Sequence, residues 1–316
     1  MDRPSTVALA LGSGGARGYA HIGAIQVLEE RGMEIVGVAG SSMGALVGGL
    51  HAAGALGEYT EWSLGLTKSD LLRLIDLSLS SPGAIKAEKI FARVQVLLRD
   101  LQIEDLPIPY TAVATDLLAR REVWFQRGPL DLAIRASIAI PSVITPIVLN
   151  GRLLADGGLM NPVPIAPTAS IGADLTLAIS LNGESRALRG ATPTAESAEP
   201  RPVEEWGDRF RRGIRTLTNR FGGGAEVDVD VAAEVADEEL LEPGELPAGL
   251  GKLDVMNLSI ESMQGVLTAY RLAGNPPDIL VSVPKDACRS LDFHRAADMI
   301  ELGRDLTTKA LDAAEL

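Results

Sequence analysis

Runs of uniformly apolar residues alternate with helical periodicity along the first half of the chain. Residues 7–11 (VALAL) are apolar throughout and stop at glycines. Residues 19–31 then place Ile22, Ile25, Val27 and Leu28 at helical spacing and close on Glu29, Glu30 and Arg31. A second apolar run, 35–40, leads through a tight turn into small and apolar residues at 45–53. This succession of strand, loop, helix, strand, turn and helix predicts an α/β fold with a mostly parallel central sheet flanked by helices. Residues 58–105 read as mostly helical, until Pro107 and Pro109 break the pattern. Residues 110–116 form the next expected strand, with 122–126 as its hairpin partner, and 130–137 a helix. Apolar arms at 147–149 and 152–154 flank Asn150-Gly151, a strong short-range hairpin signal. Later strands are expected at 175–181 and 279–283, and an amphipathic helix at 293–311.

The pattern fails at about residue 183. Residues 183–202 are rich in Ser, Thr, Ala, Pro and charge. Beyond them Trp206, Phe210, Ile214, Leu217 and Phe221 recur at helical intervals among Arg209, Arg211, Arg212, Arg215 and Arg220. Nine acidic residues and no basic one follow in 225–246. The expected organisation is an α/β domain formed by 1–182 and 253–316, interrupted by a charged insertion, 183–252. A basic amphipathic helix at 205–221 can lie on an anionic membrane surface. It can equally pack on the domain or its acidic neighbour, or dock a partner, and the sequence leaves all three open.

Composition narrows the class of function. With 316 residues and 46% hydrophobic content the chain can bury a sizeable core. A net charge of -13 disfavours nucleic acid, whose phosphates call for a basic footprint. Aromatic residues at 4% supply few stacking platforms for bases or sugars. The single cysteine, Cys288, cannot form an internal disulfide. The first apolar run is too short for a signal-peptide core, and no apolar stretch reaches the roughly 20 residues of a membrane span. A soluble cytoplasmic protein is expected, with peripheral contact at the inner face of the membrane left open.

Three short motifs carry candidate chemistry. Gly40-Ser41-Ser42-Met43-Gly44 matches G-x-S-x-G between an apolar strand and a helix of small residues. On such a turn a serine hydroxyl projects above the sheet, beside the free N–H groups of the helix that follows. The loop Gly12-Ser13-Gly14-Gly15-Ala16-Arg17-Gly18 does not keep the G-x-G-x-x-G spacing of a dinucleotide site, and lacks the Gly-Lys-Ser/Thr ending of a phosphate loop. Bare glycines at 14 and 15 instead suit an oxyanion hole, with backbone donors for a tetrahedral intermediate. Arg17 either anchors that loop or meets an anionic head group. A base for Ser42 is less clear. Of the three histidines, His21 follows the glycine loop, His51 lies well down the helix after the serine, and His294 sits in the expected last helix. Asp156, before Gly157-Gly158 and after a hairpin arm, is either a turn residue or a carboxylate in reach of the serine.

Taken together these residues resemble the patatin-like phospholipases, and among them the bacterial branch related to neuropathy target esterase. The similarity runs over roughly 7–182 and 277–311. It includes 21–24 (HIGA), 136–141 (ASIAIP) and 158–164 (GLMNPVP). Ser13 stands where the loop's first glycine is usual, and Ser142 and Ile144 where Gly and Phe often follow Pro141. The resemblance implies a three-layer α/β/α fold and a Ser-Asp dyad, with Ser42 as nucleophile and Asp156 as base. It implies an oxyanion hole from the amides of Gly14 and Gly15 with Ala16 and Arg17, and Gly12, Gly18, Gly40, Gly44, Gly157 and Gly158 as motif glycines. It further implies cleavage of phospholipid or lysophospholipid acyl esters through an acyl-enzyme, with a lipid as the binding partner and no metal or cofactor. An acyltransferase, a histidine-dependent esterase and a regulatory patatin-like protein stand as alternatives.

Overall fold

The computed structural model describes residues 6–67, 70, 76–77, 85–86, 88–98, 100–141, 143–183 and 252–316. Contacts divide the chain into two units, residues 1–191 with 260–316, and residues 192–259. The sheet and site below belong to the first. The expected basic helix at 205–221 and the acidic run at 225–246 lie outside the described residues.

Strand β1 (Thr6–Leu11) pairs in parallel with β2 (Glu34–Ser41) on one side and β9 (Leu175–Gly183) on the other. β10 (Ile279–Pro284) extends the sheet beyond β9, and β5 (Tyr110–Asp116) beyond β2, both in parallel. These strands are apolar on both faces because helices cover them: every residue of β5 is buried, as are Val7 to Leu11 in β1. Helix α1 (Ala20–Glu30) links β1 to β2 and packs on the last helix, α7 (Ala296–Ala313). Helix α2 (Met43–Ala52) follows β2, and α3 (Leu56–Leu64) follows α2.

Beyond β5 the sheet becomes antiparallel. β6 (Arg121–Phe125) pairs with Ala112 to Asp116 of β5. β8 (Arg152–Asp156) pairs with Ala114 to Asp116, and β7 (Ile147–Leu149) completes the hairpin with β8. Asn150 and Gly151 both take positive φ, 50° and 74°, as the tight turn between these arms requires. A strand has two edges. β6 fills one edge of β5, so β2 and β8 share the other: β2 lies along Tyr110 to Val113 and β8 along Ala114 to Asp116. Because β8 runs antiparallel to β5, the carboxyl ends of β2 and β8 converge head to head.

Two expectations need refinement. Helix predominates among the described residues of 58–105, as expected, but strands lie within the stretch as well. After α3, a two-stranded antiparallel pair, β3 (Asp76–Leu77) and β4 (Ile85–Lys86), precedes α4 (Glu88–Leu98). The helix after the serine begins at Met43, two residues earlier than expected, so its first amides lie directly beside Ser42. The remaining helices are α5 (Leu130–Ser137) and a long α6 (Lys252–Gly274).

Candidate active site

The turn at the end of β2 is fixed by shape. Ser42 takes φ 54° and ψ −122°, a strained conformation for a residue with a side chain. What holds it there is the closeness of strand and helix. A Cβ at Gly40 would lie 2.3 Å from the Gly44 carbonyl oxygen, and one at Gly44 would lie 2.0 Å from that of Leu11. Only bare backbone permits this approach. The Ser42 N–H donates to Ser137 Oγ at 2.9 Å, and Ser137 Oγ donates to the Val113 carbonyl at 2.6 Å. Ser41 Oγ points elsewhere, to the Asn161 carbonyl at 2.7 Å.

From the opposite direction β8 delivers Asp156. Ser41 is opposite Val113 and Asp156 is opposite Ala114, adjacent positions on one edge of β5. Ser42 Oγ donates to Asp156 Oδ2 at 2.5 Å, and the Gly158 N–H donates to Asp156 Oδ1 at 2.7 Å. The carboxyl is buried, and burial pushes its pKa from 3.8 up to about 7, against the two hydrogen bonds that favour the charged form. A carboxylate of ordinary acidity is a poor base near neutral pH. One titrating near 7 is matched to general-base work.

The glycine loop lies at the carboxyl end of β1, with Leu11 in register with Gly40. Its backbone is partly committed. The N–H groups of Gly12, Ser13 and Ala16 donate to the carbonyls of Ile179, Pro162 and Ser290. Among the described residues, the N–H groups of Gly14 and Gly15 have no hydrogen-bond partner. Ala16 therefore does not join them as a free donor: its amide is engaged at 2.9 Å. The buried Arg17 side chain is spent on the loop's surroundings. Its guanidinium donates to the carbonyls of Gly14 (3.2 Å) and Lys285 (2.7 Å) and to Ser290 Oγ (3.4 Å), and pairs with Glu261 at 3.7 Å.

The histidines lie elsewhere. His21 Nε2 is 2.9 Å from the Gly12 carbonyl, so the ring carries its proton on Nε2 and supports the loop from below. Full burial pushes its pKa down to about 4 and keeps it neutral. His51 sits 3.8 Å from Glu29, and His294 in a single turn, Phe293–Arg295, before α7. None is a hydrogen-bond partner of Ser42 or Asp156.

Ser42 and Gly15 open onto an apolar pocket with about 890 Å³ of empty space, part of it open to solvent. Its wall includes Tyr19, Leu46, Tyr59, Trp62, Phe91 and Phe293, and among the described residues no charged side chain lines it. Sequence reasoning missed these wall residues, which are scattered over the turn before α1, over α2, α3 and α4, and over the segment before α7. It also missed the support role of Ser137. The only signal for Ser137 was its place in the 136–141 run.

Ser42, Asp156 and the glycine loop all fall in 9–169, the span matched by the patatin-like phospholipase family profile. The chain belongs to the patatin-like phospholipase family. This family hydrolyses lipid acyl esters. The chain is 50% identical over 339 residues to an NTE family protein of Mycobacterium tuberculosis, covering 98% of this chain and 92% of that protein. It is 34% identical over 187 residues to patatin-like phospholipase domain-containing protein 6 of Homo sapiens, covering 57% of this chain and 14% of the other. The neuropathy target esterase sws of Drosophila melanogaster is 32% identical over 187 residues, covering 57% of this chain and 13% of that protein. Among the described residues, no helix of this patatin-like chain is long and apolar enough to cross a membrane.

Proposed function

We propose that the chain is a serine hydrolase of phospholipid or lysophospholipid acyl esters, working through a Ser42–Asp156 dyad and an acyl-enzyme. The observation that carries this reading is the 2.5 Å hydrogen bond from Ser42 Oγ to the buried Asp156 carboxylate. Asp156 takes the hydroxyl proton as Ser42 attacks the ester carbonyl. The negative oxygen of the tetrahedral intermediate meets the N–H groups of Gly14 and Gly15 and the positive end of α2. Asp156 then gives its proton to the departing alcohol, leaving the acyl group on Ser42. A water, deprotonated by Asp156, attacks the acyl-enzyme, and Asp156 returns the proton to Ser42 Oγ as the acyl–oxygen bond breaks and the fatty acid leaves. The apolar pocket beside Ser42 suits the acyl chain, and its described wall offers no charged group to a polar head group.

Labelling with a fluorophosphonate probe tests the reading. Wild type is expected to label rapidly and Ser42→Ala not at all, with Asp156→Asn strongly slowed. Labelling of Ser42→Ala at the wild-type rate refutes the nucleophile. A parallel panel of phospholipids and lysophospholipids reads out the substrate class.

A further inference from the structure

Helix α6 turns one face toward both loops of the site. Glu261, Gln264, Thr268 and Arg271 face inward, while Met263, Val266 and Tyr270 are exposed. Glu261 reaches Arg17 and Ser290 beside the glycine loop. Arg271 donates to the Met160 carbonyl and pairs with Glu122, both at 3.2 Å. Glu122 in turn accepts from Asn161 Nδ2, and the Asn161 carbonyl accepts from Ser41. Between these contacts, Gln264 Nε2 donates to the Gly158 carbonyl at 3.0 Å. A carbonyl only accepts, so the amide must present its nitrogen here.

The Gly158 contact bears on the chemistry because Gly158 also holds Asp156. The single turn Gly157–Leu159 closes through the Gly157 carbonyl, which accepts from Met160 and Asn161. The Gly158 carbonyl takes no part in that closure. Its partner is Gln264, 106 positions along the chain. The same residue's N–H fixes Oδ1 of Asp156, which leaves Oδ2 facing Ser42. We propose that Gln264 is a positioning residue for the reaction: it clamps Gly158, and through Gly158 sets the carboxylate of Asp156 against Ser42.

This inference rests on the Ser42–Asp156 reading above. A glutamine that merely docks α6 would affect folding and overall rate. One that acts through the Gly158 N–H also affects the proton affinity of Asp156, because that bond favours the charged carboxylate. Other titratable groups on the surrounding elements are engaged elsewhere. Asp116 accepts from the amides of Leu118 and Ala119, and Arg135 donates to the Thr145 carbonyl. Asp131 accepts from Gln95 and the Leu132 amide. Glu122 pairs with Arg271, His21 meets Gly12, and Arg17 pairs with Glu261.

The test is the pH profile of fluorophosphonate labelling for the full chain, with Gln264→Leu and Gln264→Glu compared with wild type and Ser42→Ala as the blank. Both replacements approximate glutamine in size, and thermal melting run alongside reports folding. The acid limb of Gln264→Leu is expected to move up by about half a pH unit or more, the order expected when one neutral hydrogen bond to a carboxylate is loosened. Gln264→Glu, which brings a second negative charge near Asp156, is expected to move it further. At high pH the Leu variant should recover most of the wild-type rate. A lower rate at every pH with an unmoved limb overturns the role of Gln264 and leaves the dyad standing. Wild-type labelling of Ser42→Ala overturns the dyad, and the Gln264 role with it.

Discussion

β2 and β8 arrive at the candidate site along the same edge of β5 from opposite directions, and they hold Ser42 and Asp156 by different means. β2 ends in a turn set by close packing: a strained Ser42 between two glycines with no room for a Cβ. β8 ends in a turn set by polar contacts: a buried carboxyl held by the Ser42 hydroxyl and the Gly158 amide. Close packing admits few alternatives, whereas a hydrogen-bonded carboxyl can be retuned by a small shift of a neighbour. In the proposed mechanism, the position of the nucleophile is a steric property of the fold, and the strength of the base is an electrostatic one.

The sharpest way to break this comparison is to remove only the charge on the β8 side. Asp156→Asn keeps the shape and removes the base. Turnover is expected to fall by about 10³-fold, within the range for loss of a general base. Measured by initial rates on a short-chain ester, a fall below tenfold would mean that another group takes the proton. Next in size is a pure packing change on the β2 side. Gly44→Ala puts a Cβ at 2.0 Å from the Leu11 oxygen, where neither backbone can yield cheaply. A destabilisation of about 3 kcal/mol is expected in a denaturant titration. Ser137→Ala is intermediate in kind, since it leaves the Ser42 N–H and the Val113 carbonyl short of a buried partner. About 1–3 kcal/mol should be lost, by the same measurement.

The two strands also differed in how far they could be read beforehand. The β2 turn follows from local rules. An apolar run, a G-x-S-x-G and small residues follow one another directly in 35–53, and the main difference in the structure is that α2 starts at Met43. The β7–β8 hairpin was equally local, because Asn150-Gly151 dictates its turn. Which edge of β5 would receive β8 was not legible: that depends on β6 occupying the other edge first. The pairing of Asp156 with Ser42 therefore rested on family resemblance rather than on spacing. The committed Ala16 amide and the Gln264 contact were hidden for a related reason. Their partners, Ser290 and Gly158, lie far away in sequence, and isolated polar contacts leave no periodic trace. Within 58–105 the strand pair was missed because its arms, 76–77 and 85–86, are too short to show an alternating pattern.

The effect that is smallest per unit of pH separates the two strands. Asp156 titrates near 7 when folded and near 3.8 when free. Between these values the folded chain keeps a proton that the unfolded chain has lost. Stability from this group therefore falls as pH rises, by at most about 1.4 kcal/mol per unit, and levels off above 7. His21 works in the opposite sense. Its pKa drops from 6.5 to about 4 on burial, so below 6.5 the unfolded chain takes up a proton that the folded chain resists. Stability from His21 rises with pH over that window and masks the Asp156 slope in wild type. The masking disappears in a difference. Asp156→Asn retains His21 and loses the carboxyl, so its stability relative to wild type should climb between about pH 4 and 7 and then stay level. Gly44→Ala, which alters packing and no titrating group, should show a pH-independent offset. Urea titrations of the three proteins at pH 5, 6, 7 and 8 read both lines. Parallel lines would mean that the Asp156 carboxyl is charged throughout, with no proton affinity suited to a base.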